Sequence, residues 1–530
     1  MKIVEKVKDW FQRGSVGMGK EYGSILEHPK INMDKSEYDR INESLRMYRG
    51  EYPPISYRNS MGDLKNRPMI TLNLMKQVSE TLASVVFNDK CKVEITKPEA
   101  QEFMAKAFES NDFIKNFSKY LEPMFAIGGL AIRPYIDVEA NYSVGFSYAQ
   151  ANTFYPLKSN TSNIRDCAIA TKTTVVESKE AVYYTLLELH EWEGDKYVIS
   201  NELYRSKEKG KLGRKVALDK IYEGLAERAE IEGLTRPIFN YLKPSGFNNI
   251  NPHSPLGLGV TDNCKDTLRQ INDAYDQFNW EIKMGQRKVA VSAHLTTVKP
   301  GADGKPVTRF DETSNVIMPL RGEMGEQFIK DLTNDIRSEQ YINAINHFIR
   351  TLEMQTKLSS GTFCFDGNSV QRTATEIVAE NSMTFRTRNM HIVEVESFLK
   401  GLIVSTLELA SRTTNAEGEK VFVGEIPSFE EIGINFDDGI FTDKVTRLEH
   451  YSKAMKDNLM PRIEAIQRAF GVPEKTAREW MHIMRLEGIQ HDPSFRAGMV
   501  DVALFGRDEA SALLKPIEEN EDGQDITEQA

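Results

Sequence analysis

Few residues in this sequence stand at the spacings that chemistry requires. The run Gly301-Ala302-Asp303-Gly304-Lys305-Pro306-Val307 contains the Gly-Lys pair of a phosphate-cradling loop. Lys299, however, stands where that loop needs its first glycine, and Pro306 where it needs a hydroxyl, so no such loop is present. Gly257-Leu258-Gly259 lacks the third glycine of a dinucleotide fingerprint, and His190-Glu191 lacks the second histidine, four residues on, of a zinc-binding helix. Asp437-Asp438 sets two carboxylates side by side, but adjacent strand residues point to opposite faces, which suits a solvated strand end. Cys91, Cys167, Cys264 and Cys364 lie far apart, with no C-x-x-C and no histidine at ligand spacing, and read as reduced, mostly buried thiols. The residues therefore carry no catalytic signature, no metal site and no cofactor.

What remains is chemistry of contact. From Lys357 to Arg372 the chain is rich in Gly, Ser and Asn and has no helical period, with Lys357 and Arg372 as its two cations, one at each end. Lys357, Ser359, Ser360, Asn368, Ser369, Gln371 and Arg372 give this stretch flexibility and polar reach, and exposed single contacts of such groups are weak and salt-sensitive. A surface loop between two helices explains the same composition. The loop leads into a helical pattern over 371 to 411 that begins polar on every face and ends apolar.

Two further helical patterns precede it. Leu268, Ile271, Tyr275, Phe278, Ile282, Gly285 and Val289 alternate at spacings of three and four, a seam for packing against other helices. The opposite face mixes cations with Asp262, Asp266, Asp273, Asp276 and Glu281 and is locally neutral. Phe328, Leu332, Ile336, Tyr341, Ile345, Phe348 and Leu352 form a second stripe, predicting a helix from 328. Between them, residues 290 to 327 hold turn signals at Pro300-Gly301, Gly304 and Pro306 and short Val/Thr/Ile runs.

Composition bounds the rest. A length of 530 residues suggests roughly three to four domains, and 40% hydrophobic with 27% charged content is globular. The formal charge of −11 argues against tight duplex binding, which is built on clustered Lys and Arg. It is the ordinary acidity of many cytosolic proteins, and would equally suit a surface along which DNA slides: a helix over 262 to 289, about 42 Å long, would flank roughly 25 phosphates, and neutralising most of them would arrest the DNA. The N-terminus has no signal-like apolar core, and the longest near-apolar run, 125 to 132, is too short to span a bilayer, so the expectation is a soluble protein, cytoplasmic when made, with no membrane contact.

Along the chain, helical patterns fall near Lys35 to Tyr48 and at 72 to 87, 99 to 109 and 112 to 126, and from Gly129 to about Leu242 the period changes to two. The fold class is α+β. Near the C-terminus, Phe470-Gly471-Val472-Pro473 joins two helices, with Pro473 at a helix start and Gly488 just past its end, much like a helix-turn-helix. Glu474 and Glu479 alternate there with Lys475 and Arg478, a poor face for phosphate. The final stretch, 516 to 530, is acidic and lacks aromatics, so disorder is expected.

Four separated places, in order, resemble the portal proteins of tailed bacteriophages. They are LRMYRGEYPPI with RPMITLNLMKQVSETLASVVFNDK, then SPLGLGVTDNCKDTLRQINDAYDQFNWEIKMGQRKVAV, then QRTATEIVAEN, and last INFDDGIFTDKVTRLEHYSKAMKDNLMPRIEAIQRAFGVPEKTAREWMHIMRLEG. The resemblance, strongest to long-tailed phages of Gram-positive hosts, implies an N-terminal arm (1–60), an α+β wing (61–260), a first stem helix (261–289), a clip (290–327), a second stem helix (328–356), a tunnel loop (357–373), a long central helix (374–412), a strand returning to the wing (413–440), a helical crown (441–492) and an acidic tail (493–530). It also implies a homo-oligomeric ring, usually of twelve subunits, at one capsid vertex of the virion, assembled in the host cytoplasm. Double-stranded viral DNA would pass through it, touched transiently by Lys357, Ser359, Ser360, Asn368, Ser369, Gln371 and Arg372 of the tunnel loop; terminase large subunit and head-completion or adaptor proteins would dock on the clip around Lys299, Lys305 and Arg309, and major capsid and scaffolding proteins on wing and crown. A helix-turn-helix DNA-binding protein and a non-channel structural or adaptor protein of the virion are the alternatives.

Overall fold

The computed structural model describes residues 20–58, 63–160, 163–285, 335–363, 382–436, 444–457, 459–470, 472 and 474–491, with the backbone of five short strands between 289 and 331. They divide into two units, one ending at Gly439 and one beginning at Ile440.

Among the described residues the first α-helix of the first unit is α1 (Lys35–Tyr48), which starts where the Asp34 side chain accepts a hydrogen bond from the Ser36 amide at 2.9 Å. The hairpin β1 (Ile55–Arg58) and β2 (Leu64–Arg67) follows, then α2 (Leu74–Val86), β3 (Lys92–Ile95), α3 (Pro98–Ser110) and α4 (Phe113–Ile127). Proline opens α3 because its missing N–H is not needed there. Phe113, Phe117, Leu121 and Phe125 recur every four residues on α4, and all are buried.

Beyond Gly128 the chain turns to a run of further strands. They are β4 (Leu130–Asp137), β5 (Ser143–Gln150), β6 (Phe154–Ser159), β7 (Ile164–Glu177), β8 (Glu180–Glu193), β9 (Lys196–Ser206), β10 (Arg214–Val216), β11 (Arg228–Glu232) and β12 (Asn240–Leu242). One antiparallel sheet has the order β12-β4-β5; the other runs β10-β9-β8-β7-β6, with β11 also paired to β9. Burial on β7 is continuous from Asp166 to Ala170, over the main core, and roughly alternates beyond it, where one face meets solvent.

The chain then forms α5 (Lys265–Met284), the strands β13 (Val289–Ser292), β14 (Lys299–Pro300), β15 (Pro306–Val307), β16 (Ile317–Leu320) and β17 (Ile329–Asp331), and the helices α6 (Ser338–Gln355) and α7 (Ser382–Arg412). The second stripe predicts a helix from 328, yet Ile329–Asp331 pairs with β13 and the helix starts ten residues later at Ser338. A spacing of four, as between Phe328 and Leu332, fits a period of two as well as 3.6, and Thr333-Asn334-Asp335 are poor helix formers. On α7, Gly401 to Ala410 are all buried, so this half is a core helix; the polar start of the pattern, 371 to 381, lies outside the described residues. β18 (Ile432–Asn435) returns to pair antiparallel with β3.

Among the described residues the second unit has three helices, α8 (Lys444–Lys456), α9 (Arg462–Phe470) and α10 (Glu474–His491). Gly488 does not end α10, which runs on to His491. A helical glycine costs only about 1 kcal/mol, and Pro493 supplies the nearer stop signal. Asp437-Asp438 and the acidic end of the chain lie outside the described residues. Among the described residues no helix is long and apolar enough to cross a membrane.

Candidate functional site: a rooted helical pair and the base of a loop

The root of α5 is a buried charge network. Asp262 accepts from Arg40, from the Ser44 hydroxyl at 2.6 Å and from the Gly259 amide at 2.8 Å, with the Lys265 ammonium 3.2 Å away. Arg40 also bridges to buried Glu37 at 2.9 Å, which receives the Ser254 hydroxyl at 3.2 Å. Gly257-Leu258-Gly259 passes so close to the end of α4 that a Cβ at Gly259 would lie 2.1 Å from the Ala126 carbonyl oxygen, and one at Gly257 2.5 Å from that of Gly128. These glycines serve backbone contact rather than a nucleotide. The Val260 amide donates to the Phe125 carbonyl at 2.8 Å, completing the attachment. The sequence pattern puts Asp262 on the neutral face opposite the seam and does not reveal this hub, whose only local signal is an acid at a helix start.

From that root α5 runs antiparallel to α6. Thr267 donates to Gln355 at 2.9 Å near one end; near the other, Glu281 accepts from the Arg337 amide and guanidinium at 3.0 and 2.7 Å, and Phe278 stacks on Tyr341 with centroids 5.3 Å apart. Of the seam residues, Leu268 and Ile271 are buried, Tyr275 and Phe278 are half-buried, and Ile282 is 43% exposed. Asp276, on the same neutral face, is buried: Arg67 grips both its oxygens, at 2.6 and 2.5 Å, and lies over Trp280 at 4.5 Å. The Arg67 hydrogen bonds hold the Asp276 carboxyl below the ordinary carboxylate range.

At the far side of α6 the chain enters the loop. Buried Glu353 accepts from the amides of Gly361 at 2.9 Å and Phe363 at 2.7 Å, curling the segment back over the helix end. Lys357 takes a left-handed conformation, φ +57°, and its carbonyl accepts from Thr387 at 2.7 Å. Ser359 is expected to reach outward; it is buried, its hydroxyl 2.9 Å from that of Thr384 on α7. A short polar side chain inside a core must find a partner, and Thr384 is one. Ser360 is exposed, while Asn368, Ser369, Gln371 and Arg372 lie outside the described residues. Nearby, the Nδ1 of buried His391 accepts from the Ser245 amide at 3.0 Å, and burial, helped by the Lys357 charge, lowers its pKa to about 4.

Lys299 sits in a two-residue ladder opposite Val307; Lys305 and Arg309 lie outside the described residues. His190 is buried, 3.1 Å from the Tyr197 hydroxyl, and burial pushes its pKa down. Cys91, Cys167 and Cys264 are buried. No cluster of three or more metal-binding side chains occurs among the described residues.

Residues 27–484 match the family model described as phage portal protein, SPP1 Gp6-like. The chain belongs to the phage portal protein family. Its mixed helix-and-strand fold is that of the family, whose members are structural proteins. Two solved structures are similar to this portal-family chain. One, a virion of a native gene transfer agent particle, is 13% identical with a TM-score of 0.40 and covers 82% of this chain and 93% of that one. The other, the neck of an empty particle of that kind computed with C6 symmetry, is 12% identical with a TM-score of 0.37, covering 75% of this chain and 89% of that one. No curated protein matches the sequence.

Proposed function

We propose that copies of this portal-family chain close into a ring at one vertex of a phage capsid, and that viral DNA enters through the central channel during packaging and leaves through it at infection. The observation that carries the reading is the state of the α5–α6 pair. Its root is locked by Asp262 and its middle by Asp276, while at its far end Ile282, Met284 and Ile336 are 43%, 46% and 39% exposed. A lone chain gains nothing from a rigid lever with a bare apolar end; neighbouring copies side by side would cover it. α5 and α6 then serve as the stem and residues 290 to 327 as the clip. The terminase motor, and afterwards head-completion proteins, would reach the clip, and capsid and scaffolding proteins the wing and crown. The protein would belong to the virion after assembly in the host cytoplasm.

Negative-stain microscopy of the purified chain tests this. Annular particles with a central hole are expected, of twelve subunits in the capsid. Compact particles without a hole, at every concentration and salt tried, overturn it.

A further inference from the structure

Within the first unit a cleft of about 1170 Å³ opens between the β10-to-β6 sheet, the segment 233–243 and α7. Four cations line it, Lys158, Arg165, Arg236 and Lys243, against two acids, Asp195 and Glu394. The first two cations are engaged: the Lys158 ammonium lies 3.1 Å from buried Asp166, and Arg165 lies over Trp192, 5.8 Å from the ring centre. Arg236 and Lys243, both half-buried, have no carboxylate at ion-pair distance among the described residues.

Arg236 is the sharper case. A guanidinium carries five N–H donors. Here one hydrogen bond reaches Asn240 Oδ1 at 3.1 Å, the Phe429 ring lies 5.2 Å away, and the buried Nε finds no acceptor among the described residues. Glu408 acts on it only from a distance, because the Glu408 oxygens accept from the Thr235 amide at 3.0 Å and from the Thr235 hydroxyl. Burial accordingly lowers the Arg236 pKa, and the Glu408 charge opposes that. The backbone leaves room for this side chain. Gly401 stands in the buried part of α7, where glycine is a poor helix former, and a Cβ there would fall 2.6 Å from Arg236 Nη2 and 2.7 Å from Asn240 Oδ1.

A charge drawn partly out of water with most of its donors unanswered costs stability. An acceptor arriving from outside would offset that cost, and a carboxylate matches the planar fork of the guanidinium. A single small ion would leave most of the cleft empty, whereas Trp192, Pro255 and Phe398 give it apolar walls for the body of a larger ligand. The two lining acids oppose a polymer of phosphates.

We propose that this cleft receives an acidic polypeptide segment of a partner protein, with one carboxylate paired to the Arg236 guanidinium and a second to the Lys243 ammonium. The inference goes beyond the channel reading and does not depend on ring formation.

Fluorescence anisotropy of a dye-labelled hexaglutamate peptide titrated with the full chain tests it. Saturable binding is expected, and Arg236→Met should weaken it by about tenfold or more, the scale of a lost charge-assisted hydrogen bond. The same variant should melt at or above the parental temperature, because methionine keeps the stem of the side chain and removes the unanswered donors. Lys243→Met, at a half-buried position with no partner among the described residues, should weaken binding severalfold with melting unchanged, which keeps the test valid if Arg236→Met fails to fold. Unchanged affinity in both variants overturns the proposal. So does a lower melting temperature for folded Arg236→Met, which would make the arginine a structural group. Equal binding of hexaglutamine would reduce the cleft to an apolar groove, displacement of the peptide by an equal concentration of inorganic phosphate would make it a site for a free ion, and tighter binding of hexathymidylate would make it a site for nucleic acid; each of these also overturns it.

Discussion

Asp262 shares one carboxylate among Arg40, Ser44, Lys265 and the Gly259 amide, so its removal leaves two cations facing each other with one fewer anion between them. Breaking a buried pair from one side typically costs about 3–5 kcal/mol, and Asp262→Ala should lower stability in chemical denaturation by about that much. Asp262→Asn keeps the shape and loses the charge, and should lose most of the same amount; a loss under about 1 kcal/mol would make the network dispensable. His391 allows a second test, through pH. Its folded pKa of about 4 lies below the ordinary 6.5, so as pH falls the unfolded chain takes the proton first. The contribution is whole above pH ~6.5 and fades toward pH ~4, a loss of about 2 kcal/mol by pH 5. His391→Asn offers the Ser245 amide an acceptor where Nδ1 stood and does not titrate. Its fall in melting temperature between pH 7 and pH 5 should be clearly smaller than that of the parent; equal falls would assign the acid sensitivity to other groups.

At the scale of elements, what the sequence made legible was whatever is written in local periodicity. α1 is bounded as expected, α2 to α4 lie within about two residues of their patterns, and the change to period two marks the sheets. Longer-range facts were illegible, because partners such as Arg40 and Asp262 stand 222 residues apart and no spacing announces them. The same blindness misplaced Ser359, whose partner Thr384 sits across the loop. The α5 seam was read as one stripe, and the structure divides it into a buried root and an open end. That division makes a test: Ile282→Asp should leave the melting of dissociated subunits nearly unchanged, because the side chain is already open, and should abolish rings in sedimentation. Tyr275→Asp, half-buried against the core within the chain, should lower both. Rings retained by Ile282→Asp would place the subunit contact on another face.

For the whole molecule, the proposed passage of DNA turns on how the loop after α6 is anchored. Phe363 is tied to Glu353, Lys357 to Thr387, and Ser359 to Thr384, so the base of the loop is fixed to both α6 and α7. Each bond adds about 1 kcal/mol to holding that base in place, at the start of the Gly/Ser/Asn-rich stretch that ends at Arg372. If twelve such stretches converge on the axis, linking neighbours covalently must stop translocation without disturbing anything at the clip. Two cysteines placed at Gly367 and Ser369, in a chain cleared of Cys91, Cys167, Cys264 and Cys364, should on oxidation arrest DNA packaging while rings and terminase ATPase activity persist, and reduction should restore packaging. A second variant separates the loop from its base: Thr384→Val removes the Ser359 partner, loosens the fixed end and should slow packaging without blocking it. Oxidised rings that package at the parental rate would show that the loop does not line the channel, and the proposed route of DNA past these residues would have to be given up.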